Sequence, residues 1–208
     1  MRGERSMAAM NHEMMIEDCY NYRVCRTGRK SGVLLHVTSL PSPYGIGTMG
    51  DHALEFIDFL VRSGQSYWQI LPLGTTGFGN SPYQSFSTRA GNLYLIDPDA
   101  LIREGLLPEN APMQFDFGDD PACVDYGLLW ENRRKLLYLA WEAFQKVPNE
   151  SLKQAFETFR AHEGAWLQDY ALFMTIKTAM NGASWRSWPD PLKWRNPVAL
   201  VEFTGSHR

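Results

Sequence analysis

The sequence predicts an α/β fold with parallel strands. Two short apolar runs, GVLLHV at 32–37 and YWQILPL at 67–73, have the length and composition of buried strands. Between them Ala53, Phe56, Ile57 and Leu60 recur at helical spacing. Strand, helix and strand in that order form the right-handed βαβ unit of an α/β sheet or barrel. From Pro98 onward the pattern turns largely helical, so a helical subdomain inserted after the second strand completes the expected architecture.

Each element has a local cause. Residues 1–30 mix charges with methionines without periodicity and are expected to form a flexible N-terminal extension. The first strand ends in turn chemistry: Ser39, Pro41, Ser42 and Pro43 followed by Tyr44-Gly45-Ile46-Gly47 interrupt any helix or central strand. Asp51 is placed to cap the helix that comes next, and Gly64 to stop it. Residues 74–92, GTTGFGNSPYQSFSTRAGN, form a long loop, and its aromatics favour an ordered, functional one. Residues 126–146 carry apolar positions at Leu129, Leu136, Leu139 and Ala143. Ser151 with Gln154 reads as a capping box for a short helix containing Phe156 and Phe159, and 166–180 as a separate helix closed by Asn181-Gly182. The expected division is therefore 1–30 extension, 31–100 βαβ unit with its loop, and 101–208 helical insertion and truncated barrel continuation.

Composition bounds the function. A chain of 208 residues that is 44% hydrophobic and 13% aromatic can bury a core. With 20 basic against 23 acidic residues, a net charge of −3 supplies no electrostatic reason to seek nucleic acid or an anionic membrane, so an uncharged partner is expected. Cys19, Cys25 and Cys123 leave one cysteine over in any pairing and show no C-x-x-C spacing, which fits a reducing cytoplasm. No stretch reaches the ~18 apolar residues of a membrane span.

Several motifs compete for the chemistry. Gly45-Ile-Gly47-Thr-Met-Gly50 matches G-x-G-x-x-G, but a proline-containing segment separates it from the strand, and the second strand ends Leu71-Pro72-Leu73-Gly74 without the acidic residue a dinucleotide ribose needs. No cofactor and no metal is expected. His36, at a strand end, reads equally as a ligand or general base and as a hydrogen-bonded core histidine. G-x-S-x-G is absent. Sugar rings present apolar C–H faces and polar rims, so saccharide sites combine flat aromatic platforms with short polar side chains. Phe78, Tyr83, Phe86 and Tyr94 among Asn80, Ser81, Gln84, Ser85, Ser87 and Asn92 have that composition, as would aromatics buried under a loop. Trp185, Trp188 and Trp194 with Arg186, Lys193 and Arg195 suggest helix packing or the wall of a saccharide groove in preference to a nucleic-acid stacking surface, which the overall charge does not support.

The strings SGVLLHVTSLPSPYGIG, FIDFLVRSGQSYWQILPLG, GFGNSPYQSFSTRAGNLYLID and WLQDYALFMTIK followed by SWRSWP resemble, in order and spacing, successive blocks of the 4-α-glucanotransferases, the amylomaltase or disproportionating-enzyme family (glycoside hydrolase family 77). The resemblance covers most of residues 31–195. It implies the N-terminal part of a (β/α)8 TIM barrel with helical insertions. It also implies transfer of an α-1,4-glucan segment to the 4-hydroxyl of glucose or another glucan. The partners would be maltodextrins and glucose, with no nucleic acid and no membrane.

Retaining enzymes of this kind use two carboxyl groups ~5–5.5 Å apart, a nucleophile and an acid/base. In the family these come from later barrel strands, and none of their motifs occurs here, so no catalytic residue is expected in this chain and no transfer from it alone. The alternative is a non-catalytic α-glucan-binding fragment or remnant. The residues carried over are for binding: Tyr83 matches the tyrosine that stacks on sugar beside the cleaved bond, Ser81 lies next to it, and Phe78 matches a tyrosine position at a secondary glucan surface. Val37, Thr75 and Leu93 stand where the family has proline, which frees backbone that relatives hold rigid; a decayed gene copy and a divergent lineage both fit this.

Overall fold

A computed structural model of the chain describes residues 29–77, 79–146 and 149–206. The expectations for residues 1–28, with Cys19 and Cys25, and for Phe78 lie outside the described residues.

The βαβ unit is present. Strand β1 (Gly32–Leu34) pairs in parallel with β2 (Tyr67–Gln69), with Val33 opposite Trp68. Both strands are shorter than the apolar runs that predict them, and they are not the buried strands expected: Leu34 and Tyr67 are 59% and 57% exposed, and Val33 and Trp68 are half-buried. One further bond, Leu35 N–H to the Gln69 carbonyl at 3.0 Å, extends the pairing, and then Val37–Ser39 winds into a 3-10 turn. On the other side Pro72, which has no N–H to donate, lies beyond the last paired residue.

Helix α1 (Asp51–Arg62) crosses between the strands and buries Ala53 and Leu60. Phe56 sets its ring edge-on to Trp68 at 5.0 Å. Ile57, expected on the buried stripe, is 42% exposed. The expected cap is also displaced by one residue: extended Gly50 is the N-cap, and the Asp51 carboxylate instead receives Arg103 Nη1 and Nη2 at 2.8 and 3.3 Å. A side chain at Gly50 would run into the Asp97 carboxylate, so glycine takes the cap. Gly64 ends the helix as predicted. At φ 70° its N–H reaches the Val61 carbonyl, and Gln65 N–H reaches the Leu60 carbonyl, which satisfies two otherwise orphaned acceptors.

Helix α2 (Pro98–Arg103) starts from Asp97, whose carboxylate accepts from Ala100 N–H at 3.3 Å and from the Thr48 hydroxyl at 3.0 Å. This buried carboxylate fastens the loop after β1 to the helical part. Helix α3 (Tyr126–Lys146) has the predicted bounds but a rotated face: Leu129, Arg133, Leu136 and Ala140 are buried, and Leu139 is exposed.

The two helices expected beyond it are one continuous α4 (Glu150–Ala179). Asn149 caps it by accepting Leu152 N–H at 3.1 Å, so Ser151 lies inside the first turn and makes no capping box. Gly164 in mid-helix costs only about 1 kcal/mol relative to alanine, which the surrounding turns readily offset. Asn181 and Gly182, at φ 51° and 76°, close α4 as predicted. Short α5 (Asp190–Lys193) and then α6 (Pro197–Ser206) complete the described chain.

Two apolar clusters result. Val37, Leu40, Ala53 and Leu95, with Phe56, Trp68, Ile70 and Leu73, form the core of the βαβ unit. Tyr44, Ile46, Tyr94, Leu106, Leu107, Phe117, Leu129 and Leu136 are among those that form the core of the helical part. The segments 37–46 and 94–95 contribute to both. Among the described residues no helix is long and apolar enough to cross a membrane, and no cluster of histidine, cysteine and carboxylate side chains could hold a metal.

Candidate functional site

Parallel pairing sends both strands out at the same edge of the sheet, so the segments after β1 and after β2 leave side by side. His36 ties them together: its Nδ1 accepts Leu71 N–H at 3.2 Å. Burial pushes the imidazole pKa below 6.5, the state in which Nδ1 keeps a lone pair to accept with. Of the two readings open for His36, the structure therefore carries the hydrogen-bonded one.

The three glycines of the G-x-G-x-x-G string serve packing. A β-carbon at Gly45 would strike the Phe117 carbonyl, one at Gly47 the Val37 carbonyl, and one at Gly50 the Asp97 carboxylate. The surfaces a phosphate would approach are occupied by the chain's own acceptors, which would repel it.

The loop 74–92 is closed at its base by the antiparallel bridge of Gly74 with Gly91, by Thr75 N–H to the Ala90 carbonyl at 3.3 Å and by Asn92 N–H to the Leu73 carbonyl at 2.8 Å. Short hydroxyls then replace regular secondary structure. Thr75 Oγ1 and Ser85 Oγ lie 3.1 Å apart, and Ser85 Oγ donates to the Ser87 carbonyl at 2.6 Å. Ser87 Oγ accepts the N–H groups of Arg89 and Ala90, each at 3.1 Å. Asn80, at φ 55°, turns the chain, and Gln84 N–H bonds the Ser81 carbonyl at 3.1 Å, so Pro82 and Tyr83 occupy the middle of a tight turn. Ser81 Oγ accepts Tyr83 N–H at 3.3 Å and retains its own proton to donate. Tyr83 stands at the tip, 72% exposed.

The aromatics grouped by composition separate here. Tyr83 faces solvent, Tyr94 is a core residue, and Phe86 is turned onto Phe173 of α4 with ring centroids 5.9 Å apart. Asn92 is used as the cap of the 3-10 turn Leu93–Leu95. Thr75, Ser81, Ser85 and Ser87 are committed to bonds within the loop, Asn80, Gln84 and Thr88 are exposed, and half-buried Ser81 lies beside exposed Tyr83.

The proline departures fall into two kinds. Val37 and Leu93 each begin a 3-10 turn, a position that suits proline. Thr75 donates its N–H to Ala90 and shares its hydroxyl with Ser85, bonds that take over the holding role at that position.

Among the tryptophans, Trp188 is buried, packs 5.3 Å from Phe173 and donates its Nε1–H to the Ala183 carbonyl at 3.2 Å. That is the helix-packing role expected of it. Trp185 and Trp194 are exposed, and Trp185 and Trp188 line an apolar cavity of about 270 Å³ with Leu172, Phe173, Ile176 and Leu192. A larger cleft of about 1100 Å³ with a mixed polar and apolar lining runs between 38–46 and 118–124, past His52 and Tyr126. Sequence reasoning missed both this cleft and Arg133, a fully buried arginine on α3. The signal for Arg133 was its place in the period Leu129, Arg133, Leu136, Ala140.

A parallel βαβ unit whose working loops leave the carboxyl ends of its strands is the construction of the barrel-type α/β enzymes. The family model of 4-alpha-glucanotransferase matches residues 35–208, and the chain belongs to that family. It is 47% identical over 174 residues to a 4-alpha-glucanotransferase of Thermus thermophilus, covering 84% of this chain and 34% of the relative. It is 38% identical over 191 residues to the chloroplastic/amyloplastic 4-alpha-glucanotransferase of Solanum tuberosum, covering 86% and 32%. The amylomaltase of Streptococcus agalactiae, solved in complex with acarbose, superposes with a TM-score of 0.80 at 44% identity, covering 86% of this chain and 36% of that one. The chain thus spans about a third of the length of these relatives.

Proposed function

We propose that this chain is the glucan-holding part of a cytoplasmic 4-α-glucanotransferase. It grips an α-1,4-glucan at the Ser81–Tyr83 turn while a segment passes, with retained configuration, to the 4-hydroxyl of glucose or of another glucan. The observation that carries the reading is an aromatic ring exposed at the tip of a turn whose backbone is internally satisfied. A flat ring held in that way offers a stacking platform for a sugar's C–H face at little ordering cost. Ser81 adds a hydroxyl donor beside it, and Phe78 is assigned the secondary glucan surface. No residue of this chain is assigned as nucleophile or acid/base, so binding is expected from it and transfer is not. The functional division proposed with this is 31–100 for the βαβ unit and glucan loop and 101–208 for the helical insertion and the barrel chain that continues from it.

Titration of the purified chain with maltoheptaose, followed by tryptophan fluorescence or calorimetry, tests the reading. Stacking at an exposed aromatic is worth about 1 kcal/mol, so Tyr83→Ala is expected to weaken binding by about fivefold to tenfold. Equal affinities for the two proteins would remove Tyr83 from the site. Incubation with maltotriose separates the two versions of the reading: glucose plus longer maltodextrins would mean that this chain itself carries the catalytic groups, and their absence leaves it the binding part.

A further inference from the structure

Helix α4 presents one stripe of side chains to the glucan loop. Glu163, Tyr170, Phe173 and Lys177 recur at the spacing of a single helical face. Glu163 lies 3.9 Å from Arg89. Burial pushes the Tyr170 phenol pKa up, opposed by a side-chain hydrogen bond with Thr75. Phe173 supports the ring of Phe86, and Lys177 Nζ sits over the same ring, 4.9 Å from its centroid. Lys177 is the hub. Its ammonium also donates to the Gly182 carbonyl at 2.7 Å and reaches the Ala183 carbonyl at 3.4 Å. The Ala183 carbonyl in turn receives Trp188, which packs on Phe173. Two carbonyls and one ring face account for the three protons of the ammonium.

The consequence concerns Tyr83. Its ring is exposed, so its place is set by the backbone of its own turn. That backbone is held at the base, where Gly74 meets Gly91 and Tyr170 meets Thr75, at Arg89 by Glu163, and at Phe86, the contact with α4 nearest Tyr83 in sequence and next to the Ser85 that bonds Thr75. We propose that Lys177 and Phe173 are positioning residues for glucan binding: they seat Phe86 and thereby fix where Tyr83 stands, without touching glucan themselves. This rests on reading the loop as the glucan site. A loop freed at Phe86 must be ordered again each time glucan binds, and that entropy is lost from the affinity.

The test uses the whole chain with two readouts, hydrogen exchange of the backbone amides of 79–90 and titration with maltoheptaose. Lys177→Met keeps the stem and removes the cation, and Lys177→Arg keeps a cation with donors. The expected result is about tenfold faster exchange in 79–90 and about tenfold weaker binding for Lys177→Met, with Lys177→Arg close to the parent in both. Phe86→Ala, a change at a partly exposed loop position, should reproduce the effects of Lys177→Met and serves if that variant fails to fold. Unchanged exchange in 79–90, or acceleration spread evenly over α4 as well, overturns the proposal and leaves Lys177 as a helix-end brace. Tyr83→Ala run alongside separates the two readings. If it binds as the parent does, the glucan assignment of Tyr83 fails, while the exchange result still decides whether Lys177 holds the loop.

Discussion

Replacing Arg133 by methionine and by alanine is expected to give two different stabilities, and the difference can be worked from its surroundings. Arg133 is 0% exposed. Its Nη2 donates to the carbonyls of Tyr94 and Ile96 at 3.1 and 3.3 Å, its guanidinium lies within 5.7 Å of the rings of Tyr44 and Phe117, and its Nε and Nη1 have no partner. Burial pushes its pKa from 12.5 down to about 10, opposed by the charge of Asp97, so it stays charged at neutral pH. At about 1.4 kcal/mol for each tenfold change, keeping that charge inside works against folding by roughly 3 kcal/mol.

Methionine fills the volume of the stem and removes the charge. The gain of about 3 kcal/mol is set against two carbonyls left without a donor, at about 1–3 kcal/mol each, so Arg133→Met should change stability by less than about 3 kcal/mol. Alanine has the same gain and the same orphaned carbonyls, and adds a void under Tyr44, Phe117, Leu129 and Leu136 that costs a further ~2–4 kcal/mol. Urea unfolding followed by tryptophan fluorescence measures both, with equal slopes required for the comparison. Alanine and methionine agreeing within about 0.5 kcal/mol would refute the packing part of the reasoning. A loss above about 4 kcal/mol for methionine would refute the electrostatic part, because the buried guanidinium would then be a net source of stability.

Three further outcomes rest on single contacts. Because burial holds the pKa of His36 below 6.5, the unfolded chain binds the extra proton first, and stability should fall as the pH drops below about 6.5; urea midpoints at pH 7 and pH 5 should converge in His36→Gln relative to the parent. Gly64→Ala has nothing within 4 Å of the new β-carbon, so its loss should be the left-handed backbone penalty alone, about 1 kcal/mol by thermal melting. Gly47→Ala drives a β-carbon into the Val37 carbonyl and to 2.9 Å from both the N and the O of Leu40, all backbone, so its loss should be about 3 kcal/mol or more; a Gly47→Ala variant as stable as Gly64→Ala would show that this turn can open.

Where the sequence could be read, the cause was local. The two apolar runs, the helical spacing between them and the stops at Gly64 and at Asn181-Gly182 each depend on a few adjacent residues, and each is present in the fold. What stayed hidden depends on a distant partner. Helix α4 reads as two helices because Gly164 and its polar neighbours break the apolar rhythm. It stays whole because one glycine costs only about 1 kcal/mol and both halves of the helix pack on other segments, Phe156 on Trp141 and Phe144, and Phe173 on Phe86 and Trp188. Phe86 and Tyr83 are alike in composition, and only the position of Phe173 packs one of them and leaves the other exposed. Arg133 finds its partners far along the chain, where Tyr44, Phe117 and the carbonyls of Tyr94 and Ile96 close around it. Tyr83 is singled out only by the resemblance of its string to the family, whereas the residues packed against its loop are set far along the chain and become visible only when α4 is laid against it.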